Sequence, residues 1–214
     1  MVTYIYMVFP DSKIEQGLWQ KGYKTVVGLD EAGRGPLAGP VVASAVVISN
    51  IDEIVPTVRD SKKMTEKQRN EAYGMIKEKS YSYGLGIVSS GDIDSMGIQQ
   101  AVLKAMTIAL EVVERKLNAK ADYIIADGLN ILDIPNYKMK KFKEGDLHHY
   151  SIAAASVLAK VTRDSIMREY HKKYEAYGFD THVGYGTKKH MEAIKKYGIC
   201  DIHRKSFKPI CNIT

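Results

Sequence analysis

The chain is 214 residues long, enough for one sizeable domain with its own hydrophobic core. Hydrophobic residues make up 45% and charged residues 26%, a globular balance, and no apolar run approaches the length of a membrane span. A net charge of +6 is compatible with a polyanionic partner, and the two cysteines, Cys200 and Cys211, lack metal-binding spacing, which points to free thiols in a reducing, cytoplasmic setting.

The apolar run Tyr4-Ile5-Tyr6-Met7-Val8-Phe9 has no basic flank and is followed by polar residues, so it is not read as a secretory leader. Residues 11–22 form a short amphipathic lead-in with Ile14 and Leu18 four apart. Strands are expected at 25–30 and 41–48, with the glycine-rich segment around Gly33-Arg34-Gly35 between them. Thr65 is placed to cap a helix running to about residue 79. Residues 81–88 read as a third strand, and Ser90-Gly91-Asp92-Ile93-Asp94 reads as a turn. The stripe Val102, Ala105, Met106, Ala109, Leu110 and Val113 predicts a long core-facing helix over 98–117.

A strongly apolar strand at 121–126 ends in Asp127-Gly128, and a basic stretch at 138–143 leads into Glu144-Gly145-Asp146. From Ser151 a helix of small residues runs towards Tyr174, suited to close packing against a neighbour. The loop Gly184-Tyr185-Gly186-Thr187 precedes a last helix at 188–197, which Gly198 closes. The tail at 203–209 is basic and expected to be irregular. Strands clustered first and then alternating with helices predict an α/β fold, a mixed sheet covered by helices. The expectation is a single domain over 1–214, with 1–23 as a lead-in and 175–214 as a C-terminal extension. No heptad seam is evident, so a monomer is expected.

The chemistry gathers where apolar strands end in acids. Asp30-Glu31 closes one such run and Asp127 another, and Asp146 follows a glycine ahead of a helix. Brought together, four carboxylates need divalent cations between them, and an all-oxygen site of this kind suits phosphodiester hydrolysis. Otherwise they are solvated turn residues and a helix cap. The spacing of Gly33-Arg34-Gly35 is too short for a dinucleotide fingerprint. Arg34, Lys62, Lys63, Lys160, Arg163 and the 138–143 lysines could hold a phosphate backbone, or be surface charges. Tyr185 between two glycines could stack on a sugar or base, or be a core tyrosine.

The run Gly28-Leu29-Asp30-Glu31-Ala32-Gly33-Arg34-Gly35-Pro36-Leu37-Ala38-Gly39-Pro40-Val41 closely resembles the opening motif of ribonuclease HII. Four further blocks agree in order. They are Asp60-Ser61-Lys62-Lys63, Asp127-Gly128, the helical block from Ser151 to Asp164, and Gly184-Tyr185-Gly186-Thr187. The ending His203-Arg204-Lys205-Ser206-Phe207 is similar to the bacterial form.

The resemblance implies an RNase H-like fold with a helical C-terminal part. It implies an endonuclease dependent on Mn2+ or Mg2+, two ions with substrate bound. Such an enzyme cuts RNA in RNA/DNA hybrids and 5′ of single ribonucleotides in duplex DNA, leaving 3′-hydroxyl and 5′-phosphate ends. By matching motif positions, the metal-binding and catalytic acids are Asp30, Glu31, Asp127 and Asp146; Asp164 is the tempting wrong choice for the fourth. The substrate residues carried over are Gly33, Arg34, Gly35, Ser61, Lys62, Lys63, Lys160, Arg163 and Tyr185. Among these, the Gly33-Arg34-Gly35 turn and Tyr185 are assigned to the ribose 2′-hydroxyl. One departure is Glu144, where the family usually has lysine, with Lys143 displaced by one. The rival readings are another RNase H-like nuclease of the resolvase or integrase type, which needs no ribonucleotide, and a non-catalytic hybrid-binding module indifferent to magnesium.

Overall fold

A computed structural model describes residues 9–213. The 4–9 run therefore lies outside the described residues apart from Phe9. Among the described residues five strands form one sheet: β1 (Val26–Ala32), β2 (Val41–Val47), β3 (Ser82–Val88), β4 (Tyr123–Asp127) and β5 (Met139–Phe142), in the order β3-β2-β1-β4-β5. β1, β2 and β3 pair antiparallel, whereas β4 runs parallel to β1, and β5 parallel to β4. The central strand β1 and its neighbour β4 thus end on the same side of the sheet. This is the mixed sheet expected from the sequence.

The helices are α1 (Lys13–Gln20), α2 (Glu66–Lys79), α3 (Ser90–Met96), α4 (Ile98–Leu117), α5 (Gly145–His148), α6 (Tyr150–Lys173), α7 (Phe179–His182) and α8 (Lys188–Tyr197). Alternate side chains of β1 serve two cores, as the two-residue period of a strand requires. Val27 and Leu29 pack with Val102, Ala105, Met106 and Leu110 of α4, on one face of the sheet. On the other face the small residues of α6, Ala153, Ala154, Ala155 and Val157, pack with Val46 and Ile48 and with Ala72 and Ile76 of α2.

The alanine-rich sequence of α6 is explained by how near it lies. A Cβ at Gly28 would sit 2.4 Å from the Ser151 carbonyl carbon, so β1 needs glycine where α6 crosses it. The beginning of α2 is equally legible: Thr65 and Gln68 form a reciprocal capping box.

One expectation needs correction, and two basic stretches are placed more firmly than the sequence showed. The expected turn at 90–94 belongs to α3: the Ser89 hydroxyl caps it by accepting from Asp92 N–H, and Ile93 is buried. Gly91 and two acids hid that helix. The basic 138–143 stretch contains β5, an edge strand whose two lysines mask its pairing with β4. The 203–209 tail is irregular, as expected, yet it is tied into the fold: His203 and Arg204 are buried, and His203 bridges antiparallel to Ala38. No helix among the described residues is long and apolar enough to cross a membrane.

Candidate active site

Asp30 is delivered by the pleat of β1. Leu29 faces α4, so its successor faces α6, where Asp30 is almost wholly buried and hydrogen-bonded by Ser156. Leu29 pairs with Ala126 across the parallel β1/β4 ladder, and the next residue of each strand is therefore Asp30 and Asp127. Asp127 is fixed from the far side: its Oδ1 accepts Gly145 N–H at 2.6 Å. That bond anchors α5, which brings in Asp146. A Cβ at Gly145 would lie 2.9 Å from the tip of the Ile152 side chain and 3.2 Å from the Phe142 Cβ, so α5 approaches closely at the glycine.

The result is a cluster in which one carboxylate oxygen from each of Asp30, Asp127 and Asp146 lies within 4.8 Å of the others. Asp164, by contrast, pairs with Lys160 at 2.9 Å one helical turn away on α6. Glu31 stands beside the cluster in the same cleft but outside the group of three. Its Oε1 accepts from Arg34 at 3.2 Å, and its Oε2 is buried with no hydrogen-bond partner among the described residues.

The electrostatics are those of a site short of positive charge. Burial first, then Glu31, Asp127 and Asp146, hold the Asp30 carboxyl well above the ordinary aspartate value, against the lowering effect of Ser156. Burial also raises Glu31, offset in part by Arg34, and raises Asp146, offset in part by Lys62. Lys62 Nζ reaches Asp146 at 3.5 Å. Burial disfavours its charge, but Asp146, Asp30 and Asp60 more than compensate and hold the ammonium above its usual value.

Three acids from three elements, Asp30 and Asp146 buried and Asp127 half-buried, together with a glutamate oxygen unpartnered among the described residues and an all-oxygen donor set, fit a hard divalent cation. The fit is a statement about charge as much as geometry: burial and the neighbouring carboxylates raise Asp30, Glu31 and Asp146 above their ordinary values, which a cation between them would relieve.

The cleft around the acids has a volume of ≈ 290 Å3. Gly33, Arg34, Gly35, Ser61, Lys62, Lys160, Arg163 and Tyr185 all line it, so eight of the nine substrate residues expected from the sequence converge there. Lys63 does not: it pairs with Asp60 at 3.8 Å, outside the lining. Ser61 is buried, its Oγ 2.9 Å from the Ser156 Oγ, and so it extends the support of Asp30 through Ser156. Tyr185 is 46% exposed and its ring lies against the Gly35 side of the turn. Lys143 and Glu144 are both exposed, and Glu144 has a left-handed backbone at φ 55°.

Arg163 corrects a simple reading as a phosphate ligand. It is 1% exposed and donates through Nε to Pro40 O, through Nη1 to Val183 O and through Nη2 to Ala38 O. Its charge lies behind the glycine-rich turn, and a Cβ at Gly33 would fall 2.2 Å from its Nε.

Two residues were missed by sequence reasoning. Ser156 is one, a hydroxyl in an alanine run whose only sequence signal is that it breaks the apolar pattern. Arg204 is the other. Burial first, then the neighbouring Arg163, bring it down to about 9, and it stays charged at neutral pH.

Residues 27–210 match the Ribonuclease HII family. The chain is 49% identical over 193 residues to a ribonuclease HII of Acetivibrio thermocellus, covering 90% of this chain and 73% of that protein. Its fold is similar to that of ribonuclease H2 from Pyrococcus horikoshii OT3, with a TM-score of 0.73 and 26% identity over 88% of this chain and 96% of that one. It also shares its fold with Bst-RNase HIII solved in complex with Mn2+, with a TM-score of 0.65 and 16% identity over 88% of this chain and 68% of that one.

Proposed function

The chain belongs to the ribonuclease HII family, and from that premise we propose that Asp30, Glu31, Asp127 and Asp146 hold one or two Mg2+ or Mn2+ ions for cleavage 5′ of a ribonucleotide. The observation that carries the proposal is the meeting of Asp30, Asp127 and Asp146 beside the Gly33-Arg34-Gly35 turn and Tyr185. Solved with Mn2+, the ribonuclease HIII of shared fold supports the choice of ion.

A divalent ion bound there supplies electrophilic stabilisation of the charge that develops on the phosphoryl oxygens. The protein residues do the rest. Ser156 and the Gly145 N–H hold Asp30 and Asp127 in place. Lys62, beside Asp146, is positioned to meet the phosphate of the strand being cut. The Gly33-Arg34-Gly35 backbone and the Tyr185 ring read the ribose 2′-hydroxyl, the group that separates RNA from DNA, without reading the base.

All these groups come from one chain, which supports a monomer acting on RNA/DNA hybrid or on duplex DNA with an embedded ribonucleotide. The free thiols Cys200 and Cys211 support a cytoplasmic setting. The test is a DNA duplex carrying one ribonucleotide, incubated with and without divalent ion, with the product ends mapped. Cleavage 5′ of the ribonucleotide, only with the ion, is the expected result. Cleavage of an all-DNA duplex, or ion-independent cleavage, refutes the proposal.

A further inference from the structure

The glycine-rich turn is held from behind by two buried cations, Arg163 of α6 and Arg204 of the C-terminal segment. Arg204 is fully buried. It donates from Nε to Gly39 O at 3.0 Å, from Nη1 to Arg34 O at 2.9 Å, and from Nη2 to Gly33 O at 2.6 Å and Pro40 O at 3.1 Å. With Arg163 it engages six carbonyls, and among the described residues neither arginine has a carboxylate within ion-pair distance.

The consequence follows from peptide geometry. Gly33 O and Arg34 O belong to the same peptide units as the N–H groups of Arg34 and Gly35, two residues of the cleft lining. Because a peptide carbonyl and its N–H point in opposite directions, fixing both oxygens on a buried cation fixes the direction of both donors. A cation on the oxygen also draws electron density from the peptide and makes the N–H a better donor. Among the described residues these two N–H groups have no protein acceptor. Gly33 has φ +98°, the backbone turn that lets its carbonyl face the arginine.

We propose that Arg204 is a positioning residue for ribonucleotide specificity, holding the Arg34 and Gly35 amides towards the cleft where the 2′-hydroxyl is read. The inference rests on the assignment of this turn to the 2′-hydroxyl and adds what sets its aim. The segment carrying Arg204 is itself tied down on both sides. Arg204 N–H donates to Leu37 O, Gly39 N–H donates to Ile202 O, and the guanidinium lies 4.9 Å over the Phe207 ring. Asp94 of α3 accepts from Lys205 N–H, Ser206 N–H and Ser206 Oγ at 2.6–2.9 Å. Asp94 touches neither cleft nor turn, and so offers a way to loosen Arg204 without altering it.

The experiment measures binding of two duplexes by fluorescence anisotropy in EDTA, identical except that one carries a single ribonucleotide. The readout is the ratio of the two dissociation constants. The parent is expected to favour the ribonucleotide. Arg204→Lys keeps the charge but loses the planar fork, so the ratio is expected to narrow about tenfold, the worth of one well-aligned hydrogen bond, with all-DNA affinity little changed. Asp94→Ala is expected to narrow it by a smaller factor. Melting temperature and Mn2+ titration calorimetry verify that each variant is folded and keeps its acid cluster. A parent that binds both duplexes equally overturns the assignment of the turn itself. A parent that discriminates, with folded variants that discriminate as well, overturns the role of Arg204 alone. Should Arg204→Lys fail to fold, Asp94→Ala decides: an unchanged ratio refutes the inference and a narrowed one supports it.

Discussion

Replacing Asp30 by asparagine should abolish turnover and make the metal-free protein more stable. The cluster oxygens lie within 4.8 Å of one another. At an effective dielectric of ~20, two unit charges at that separation repel by about 3 kcal/mol. Asp30 meets two such neighbours and Glu31, and the fold already relieves part of the strain by raising its affinity for a proton. The gain left for the Asp30→Asn variant is therefore about 1–3 kcal/mol, or roughly 3–10 °C in Tm. The sign with pH is fixed by the same shift. A carboxyl raised above its ordinary value of 3.8 costs nothing where both folded and unfolded chains are protonated, and costs progressively more as pH rises through the folded value. The advantage of Asp30→Asn should thus vanish near pH 4 or below and be largest at neutral pH. Divalent ion should reverse the order: at a hundredfold excess over Kd it stabilises the parent by about 2.7 kcal/mol, and the variant far less. Calorimetric melts at two pH values, with EDTA and with Mg2+, measure all four states. A variant less stable than the parent in EDTA at neutral pH, and stabilised equally by Mg2+, would refute the shared-cation account.

Tyr185→Phe and Tyr185→Ala should lower cleavage at a single ribonucleotide more than they lower Mn2+ affinity, measured by gel assay and by calorimetry; unchanged cleavage removes the ring from the site. Gly28→Ala would drive a Cβ to within 2.4 Å of the Ser151 backbone, separating β1 from α6. A loss of about 2–4 kcal/mol in urea unfolding is expected, together with loss of activity, because Asp30 and Ser156 sit on opposite sides of that contact. His190 is brought down to about 4 by burial and by its neighbours His182 and His203, partly offset by its bond to Tyr185 O. It therefore contributes stability that is complete above pH 6.5 and lost as pH falls towards 4, up to about 3 kcal/mol. Unfolding in the Asp30→Asn background, which removes the most strongly raised of the opposing carboxyls in the cluster, should show this loss, and His190→Gln should flatten it.

How much of this was legible beforehand differs by residue. The α4 stripe and the Thr65 cap are local signals, and the sequence shows them without a structure. Asp30 and Asp127 are legible as acids ending apolar strands, but that they meet depends on a parallel β1/β4 ladder between residues almost a hundred apart, which no local pattern encodes. Asp146 needed the family resemblance, since by itself Gly145-Asp146 reads as a helix cap. What places it is the Gly145 N–H bond to Asp127, made where Ile152 and Phe142 pack close to the glycine. β5 and α3 were hidden because lysines and a glycine break the apolar period by which such elements are read.

The basic residues show why charge in a sequence is a poor guide to where it acts. Arg34 and Lys62 line the cleft and pair with its acids, as a phosphate-facing reading expects. Arg163 also lines it, but is 1% exposed with its nitrogens spent on carbonyls, and Arg204, in a segment that reads as a basic tail, is fully buried. Burying a guanidinium without a carboxylate is costly unless its donors are met, and seven hydrogen bonds to carbonyls of the 33–40 turn and of Val183 meet them. The glycines at 33 and 39 are the other half of that arrangement. A Cβ at Gly33 would strike Arg163, and one at Gly39 would strike Met167. The turn is therefore glycine-rich because cations and α6 crowd its inner side, and its open side lines the cleft. A lysine at either arginine position would keep the charge and lose the fork, leaving buried carbonyls without a donor, so stability and the aim of the turn should suffer together.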